Sequence, residues 1–576
     1  MKLHNQFLRL YSHYGTTEDV QITLDELAMT LNCTHRNASI VIGKMMEHEW
    51  IHWEPKRGRG RRSTLRFLIQ PEEIAAQSMM QAISRQDLKH AIDQIRIHAR
   101  SSMMQDRLQE WLLTYFGHHS EIRSNKQIDT LRLPIRERLH TLDPLYMNLL
   151  AESFVSSHVF DGLTRRANNT DEILPNIAHA WDVDSNRTQW TFYLRKEVLF
   201  HNGTLMTAHD VVYTFERLIK TSQKTLYSFI SKQIKSVRAL NLTTVTIQLK
   251  EPNELFLSFL STSRAAIVPR ELDQLGEASF GTKPIGTGPF KVTEMNDSIC
   301  VLEVFTHYFQ GRAHLDRVEV VSVPWDIPSD KTDSEQTSDP LSPFHIIHNP
   351  SLVEGSSWSQ IHSEASIRKF VTCNTKKTGP LNDPVVRAHV LSCLRGNGDW
   401  LNTGDLPLLN HGEVSEDKLP LHIATIPQYK QDADFIAERL AKFGYVCHVV
   451  STSLEAFKGS IRLESDLIVF SLFRDQDEQL RLFDLYLTMS EHVEPHTRVD
   501  IDTLLHSVMR EDDPHVRAQK FAQIEARLIQ EHQLHILYER PVQTAYLPSV
   551  RGVTFNSQGW VDLRHIWFPP VTDEFK

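Results

Sequence analysis

Thr23-Leu24-Asp25-Glu26-Leu27-Ala28-Met29-Thr30-Leu31-Asn32-Cys33-Thr34-His35-Arg36-Asn37-Ala38 decides how the N-terminal part of this chain reads. Thr23 with Glu26 three residues on has the form of a capping box, in which two orphan helix donors are satisfied reciprocally. Leu24, Leu27, Ala28 and Leu31 then share one helical stripe. Asn32-Cys33 is the turn, and Thr34 caps a second helix whose inner face is Ala38, Val41, Ile42 and Met45. The outer face of that helix offers His35, Arg36, Asn37, Ser39 and Lys44. Two short helices about a tight turn, the second polar and basic outside, make a helix-turn-helix that lays its second helix in the DNA major groove. Upstream, Phe7, Leu8, Leu10, Tyr11 and Tyr14 give another helical face over 5–14.

Downstream, Trp50-Ile51-His52-Trp53 alternates like a strand, and so does Ser63-Thr64-Leu65-Arg66-Phe67-Leu68. Between them lies Pro55-Lys56-Arg57-Gly58-Arg59-Gly60-Arg61-Arg62, with five positive charges in eight positions. Gly58 and Gly60 permit tight backbone turns, and the cations suit phosphates, so the segment reads as the wing of a winged helix. The expected DNA contacts are thus His35, Arg36, Asn37, Ser39 and Lys44 on the helix and Lys56, Arg57, Arg59, Arg61 and Arg62 on the wing. Charge supports this: ten Lys/Arg against seven acids give residues 1–70 a net +3, while the whole chain is -10 and the remainder therefore -13. A basic head on an acidic body points to a polyanion partner for the head. His48-Glu49-Trp50-Ile51-His52 matches the zinc-protease string, but that chemistry needs both histidines on one helical face, and a strand is expected from Trp50.

At 576 residues the chain exceeds one core, and three to four domains are expected. Hydrophobic content of 40% and charged content of 23% are ordinary for a globular protein. No run of about 18 apolar residues exists, so no membrane span is expected. The first ten residues lack the apolar core of a signal peptide. Five scattered cysteines without CxxC spacing read as free thiols of a reducing compartment. These readings place the protein in the cytoplasm. Residues 72–116 are helical by period, from Ile74 and Met79 to Leu112 and Phe116; Gly117 and the polar run to Asn125 break the pattern, giving a helical connector at 71–127 without sustained heptads. No nucleophile elbow, P-loop or metal-ligand constellation is present, so neither an enzyme nor a cofactor is expected.

Four ordered blocks follow: Leu142-Asp143-Pro144 with Phe160-Asp161-Gly162-Leu163-Thr164; Trp190-Thr191-Phe192-Tyr193-Leu194-Arg195 with Phe200-His201-Asn202-Gly203 and Thr207 to Arg217; Pro284-Ile285-Gly286-Thr287-Gly288-Pro289-Phe290; and Gly379-Pro380-Leu381-Asn382-Asp383-Pro384-Val385-Val386-Arg387. In order and spacing they resemble the oligopeptide/dipeptide/nickel class of ABC-transporter substrate-binding proteins, from about residue 128 to the C-terminus. Thr207 reads as a helix cap with Asp210 near the positive end, and Gly286 and Gly288 as turn residues. The resemblance implies a periplasmic-binding-protein-like body (type II) of two α/β lobes, the first at about 128–368 with 536–576 and the second at about 369–535, closing on a ligand by hinge motion. It further implies that Phe473, Arg474 and Asp475, after the late strand of the second lobe, face the ligand. The Trp, Gly and Asp-Pro of the peptide binders are missing there, and Arg474 suits an anion such as a sugar phosphate by bidentate pairing.

Head, connector and body together resemble the SgrR-type bacterial transcriptional regulators. Phe7-Leu8-Arg9-Leu10, Thr23-Leu24-Asp25-Glu26-Leu27-Ala28, Gly58-Arg59-Gly60-Arg61-Arg62-Ser63 and Gly559-Trp560 with Trp567-Phe568 carry the resemblance. It implies a one-component sensor: double-stranded DNA on the head, and a small-molecule effector (a sugar phosphate, a peptide or another solute) in the body. The alternative is an extracytoplasmic transport receptor for a peptide or other solute.

Overall fold

The computed structural model describes residues 2–15, 19–56, 62–84, 115–123, 125–135, 138–147, 149–167, 172–221, 225–323, 359–394, 420–453, 456–474, 477–546, 550–554 and 561–569. The head comprises α1 (Lys2–Tyr14), β1 (Val20–Ile22), α2 (Leu24–Thr30), α3 (His35–Glu47), β2 (Ile51–Glu54) and β3 (Ser63–Phe67). Its antiparallel sheet runs β1-β3-β2. The capping box at Thr23 and Glu26 forms, the Glu26 carboxylate accepting the Thr23 N–H at 2.8 Å. Asn32 takes φ +50° in the turn between α2 and α3, a conformation Asn tolerates better than most residues. Phe7, Leu10, Leu27, Ala38, Met45 and Leu65 are wholly buried together, with Trp50 edge-on to Phe7 at 5.8 Å.

α4 (Pro71–Ser84) starts with Pro71 and the acids Glu72 and Glu73 in its first turn, all favourable at a helix N-terminus. It is buried on two sides. Ile74 joins the head core; Ala75, Ala76, Met79 and Ala82 pack with Phe116, Val321 and Val323 of the body. The remaining expected connector helix, 85–114, lies outside the described residues. Gly117–Arg123, expected to be an irregular end to the connector, is instead strand β4, paired antiparallel with β5 (Lys126–Ile135). Alternation was masked there by polar residues on an edge strand, where one side needs no apolar cover.

Among the described residues the body holds three sheets and a short hairpin, β6 (Thr164–Arg166) with β7 (Ile173–Pro175). A four-stranded antiparallel sheet, β10-β11-β9-β8, uses β8 (Ala178–Val183), β9 (Gln189–Leu194), β10 (Ile234–Asn241) and β11 (Thr244–Leu249). A mixed sheet runs β12-β13-β14-β5-β4, with β12 (Phe290–Met295), β13 (Ile299–Val304) and β14 (Arg317–Ser322), the last parallel to β5. Helix α5 (Leu150–Val159) shares this sheet's core through Phe154, Val155 and Val159. Helix α6 (Ala208–Lys220) opens at Thr207, whose N–H donates to the Asp210 carboxylate in the first turn at 2.8 Å. Gly286 and Gly288 are required by close approach rather than by a turn with positive φ: a Cβ at Gly286 would come within 2.0 Å of the Val159 carbonyl oxygen, at the end of α5.

The third sheet runs β17-β16-β18-β15-β19, from β15 (Ser359–Cys373), β16 (Leu421–Thr425), β17 (Cys447–Ser451), β18 (Leu467–Arg474) and β19 (Leu534–Tyr546). The expected lobe boundaries at 368 and 536 fall inside β15 and β19, which pair with each other antiparallel, with register shifts at His362/Ser366 and Lys369/Phe370. α7 (Pro384–Ser392) and α8 (Lys430–Ala441) share this sheet's core. α9 (Glu478–Met489), α10 (Pro495–Met509) and α11 (Pro514–Gln530) share a core with the four-stranded sheet. Among the described residues no helix is long and apolar enough to cross a membrane.

Candidate nucleic-acid face and ligand junction

On α3, Ala38, Val41, Ile42 and Met45 turn inward, which places Arg36, Ser39, Ile40 and Lys44 on the exposed face, with Asn37 half-buried. Thr34 caps α3, its hydroxyl accepting the Asn37 N–H at 3.4 Å. His35 contacts the Asp25 carboxylate on α2. Lys56 and Arg62, exposed, flank the loop, and Arg62 reaches Glu26 at 3.4 Å. Arg57, Arg59 and Arg61 lie outside the described residues. Arg66 is drawn to Asp19 in a bidentate pair at 2.5 and 2.8 Å, which fixes β3 rather than offering a free cation. His48 and His52 are separated by the helix end at Glu47 and by Glu49 at φ +58°, and His48 stacks on Trp50; they do not share a helical face.

In the body, Phe473 is buried and packs with Ile367 and with Leu150 of α5. Arg474 is tied within its own lobe: its guanidinium contacts Glu478 and donates to Glu539 at 2.8 Å. Arg368 joins the group through Glu525 at 2.6 Å and Glu539 at 2.8 Å. Glu478 and Glu539 thus meet the Arg474 charge where a ligand anion was expected. Asp475 lies outside the described residues.

The junction beyond Phe473 carries groups that the sequence reading passed over. Arg166 of β6 pairs with Asp477 at 3.4 Å, both buried. The Tyr227 N–H donates to Asp484 of α9 at 3.3 Å, and Phe229 stacks on Phe483 at 4.1 Å. Arg481 lies over the Phe473 ring, 5.7 Å from its centroid. Arg264, in the one-turn helix Ser263–Ala265, is buried. Burial pushes its pKa down to about 10, against the pull of Tyr227, Glu152 and Asp484 and with the push of Arg481. One sequence signal marked it: a single cation amid the apolar stretch from Leu255 to Val268. The junction therefore gathers three guanidinium groups, three carboxylates and an aromatic wall from elements on both sides.

Residues 2–119 match the family described as "Sugar transport-related sRNA regulator N-term", and residues 172–388 match "Bacterial extracellular solute-binding proteins, family 5 Middle". The chain is 28% identical to the uncharacterized protein YhjP of Bacillus subtilis, over 98% of this chain and 100% of the relative. It is 27% identical to the HTH-type transcriptional regulator SgrR of Pectobacterium atrosepticum, over 99% of both. The fold of the body is similar to the periplasmic binding protein DppA of Helicobacter pylori, solved with peptide STSA: TM-score 0.60 at 19% identity, over 76% of this chain and 98% of that one.

Proposed function

We propose that this chain, which belongs to the SgrR-type family of bacterial transcriptional regulators, is a cytoplasmic one-component sensor whose winged-helix head binds double-stranded DNA under control of a small molecule held in the body. The observation that carries this reading is α4, whose two faces are buried in the head core and against the body. A head free to move by itself would leave Met79 and Ala82 exposed to water.

The head reads DNA through α3, with Arg36 and Lys44 as its exposed cations, while the loop from Lys56 to Arg62 meets the phosphate backbone and sets affinity more than sequence choice. The domains are a head at 1–70, a connector at 71–127 and a body from 128, with β4 belonging to the body's sheet. The effector, a sugar phosphate, a peptide or another solute, binds between the lobes and favours their closed arrangement. Its influence runs from the junction at Leu150 and Glu152 along α5, through the sheet core to Val321 and Val323, and so to α4. Coupling can be no larger than the effector's preference for one lobe arrangement over the other.

Gel-shift titration of the full chain against DNA upstream of its own gene tests the reading. Binding that weakens steeply with salt is expected. A wild-type chain that shifts no fragment at micromolar concentration and low salt would sink the regulator assignment.

A further inference from the structure

Among the described residues, the charged groups gathered at the junction of the lobes have partners in the protein, with Arg264 as the exception. Arg166 pairs with Asp477, and Arg481 lies over Phe473. Glu152 is spent on backbone donors: one carboxylate oxygen accepts the His140 and Thr141 N–H groups at 2.9 and 3.2 Å, the other the Leu149 N–H at 3.0 Å. Asp484 accepts the Tyr227 N–H. Arg264 is 8% exposed, and no hydrogen bond or ion pair joins it to a described residue. A guanidinium carries five N–H donors and does not deprotonate in proteins, so burying one without acceptors is costly.

The surroundings narrow the ligand. Arg264 comes from the turn that packs on α5, and Arg481 from α9, so each side of the junction brings a guanidinium. An anion between them joins the two sides. We propose that Arg264 is the anion-recognition residue of the effector site, and that the effector carries a carboxylate or phosphate group held by this buried guanidinium in a bidentate fork. The proposal rests on the effector-sensing reading and names the chemistry of its ligand. Arg481 supplies the second cation, and the Phe473 ring beneath it an apolar wall. This assigns to Arg264 the part that the sequence alone gave to Arg474, whose charge is already met by Glu478 and Glu539.

Calorimetric titration and thermal melting of the full-length chain test it, with glucose 6-phosphate, inorganic phosphate and the dipeptide Ala-Ala as anionic probes. Glucose and Ala-Ala amide, which lack the phosphate or carboxylate, are the controls. The phosphate and carboxylate sources are thereby separated. At least one anionic probe should bind, its control at least about tenfold more weakly. Arg264→Gln should weaken that probe by about 10- to 100-fold, the range of a charge-assisted hydrogen bond, with Arg264→Lys in between. Wild-type affinity in the Gln variant, or equal binding of a probe and its control, overturns the proposal. So does an absence of binding by every anionic probe. DNA binding by the same variants is the independent control: its loss in the wild type counts against the regulator reading alone, while intact DNA binding with an unchanged anion response counts against Arg264 alone.

Discussion

Arg217 donates to both carboxylate oxygens of Asp143, at 2.8 and 2.6 Å, and to Glu277 at 3.0 Å. Asp143 is wholly buried, so Arg217→Ala would strand a carboxylate in the protein interior. Removing one partner of such a pair costs about 3–5 kcal/mol, and the urea midpoint should drop accordingly; a change within about 0.5 kcal/mol would mean that the pair is solvated. Buried histidines set a second residue-scale expectation. Burial, with Arg462 nearby, pushes the His492 pKa down to about 3, and burial pushes His201 down to about 4. As pH falls below about 6.5, the unfolded chain takes up protons on both while the folded chain does not, so stability is full above that pH and declines below it. By pH 5 the decline should be on the order of 1–2 kcal/mol for each group. Urea melts of His492→Leu across pH 7.5 to 5 should show a shallower slope than wild type, and an equal slope tells against the assignment. The asymmetry between Arg474 and Arg264 belongs to this scale too. Arg474 stands before a run of acids, and Glu478, four residues on, is a partner that sequence could offer, but Glu539 lies 65 residues away and no local pattern announces it.

At the scale of elements, α3 was legible because its information is local: a cap, a four-residue stripe and a polar outer face are read within thirteen residues. Arg36→Ala with Lys44→Ala should therefore weaken DNA binding and lower the salt dependence by about two phosphate equivalents. Fluorescence anisotropy across a salt series checks this, and an unchanged slope removes α3 from the phosphate contacts. Thr34→Ala should cost about 1 kcal/mol of head stability through loss of the cap. α4 was legible as a helix but not as a bridge. Its apolar residues serve two cores, and periodicity cannot say which neighbour covers which face. Met79→Asp buries a charge against Val321 and Val323, so it should detach the head while leaving both folds intact. Limited proteolysis should then cut between head and body faster than in wild type, and equal rates would remove α4 from the coupling route.

For the whole molecule, the proposed coupling makes a symmetrical prediction. If a saturating effector changes DNA affinity by some factor, saturating DNA must change effector affinity by the same factor. Paired titrations on one preparation measure both, and unequal factors would show that the two sites are not joined by a single equilibrium. Residues 23–45 and the strand pair after them already specified the head, because helix caps, turns and amphipathic stripes arise from neighbours in sequence. The four ordered blocks likewise marked a body similar to solute-binding proteins; its Thr207 cap is local, whereas Gly286 packs on Val159 of α5, far off in sequence. What tertiary structure alone decided is where the bodies touch. It moved Gly117–Arg123 into a sheet, kept β15 and β19 in one ladder, seated α4 on two cores, and buried Arg264 without a hydrogen bond to a described residue while Arg474 was neutralised. Each of these depends on surfaces distant in sequence meeting in space, where burial and long-range pairing, rather than local propensity, fix the energy.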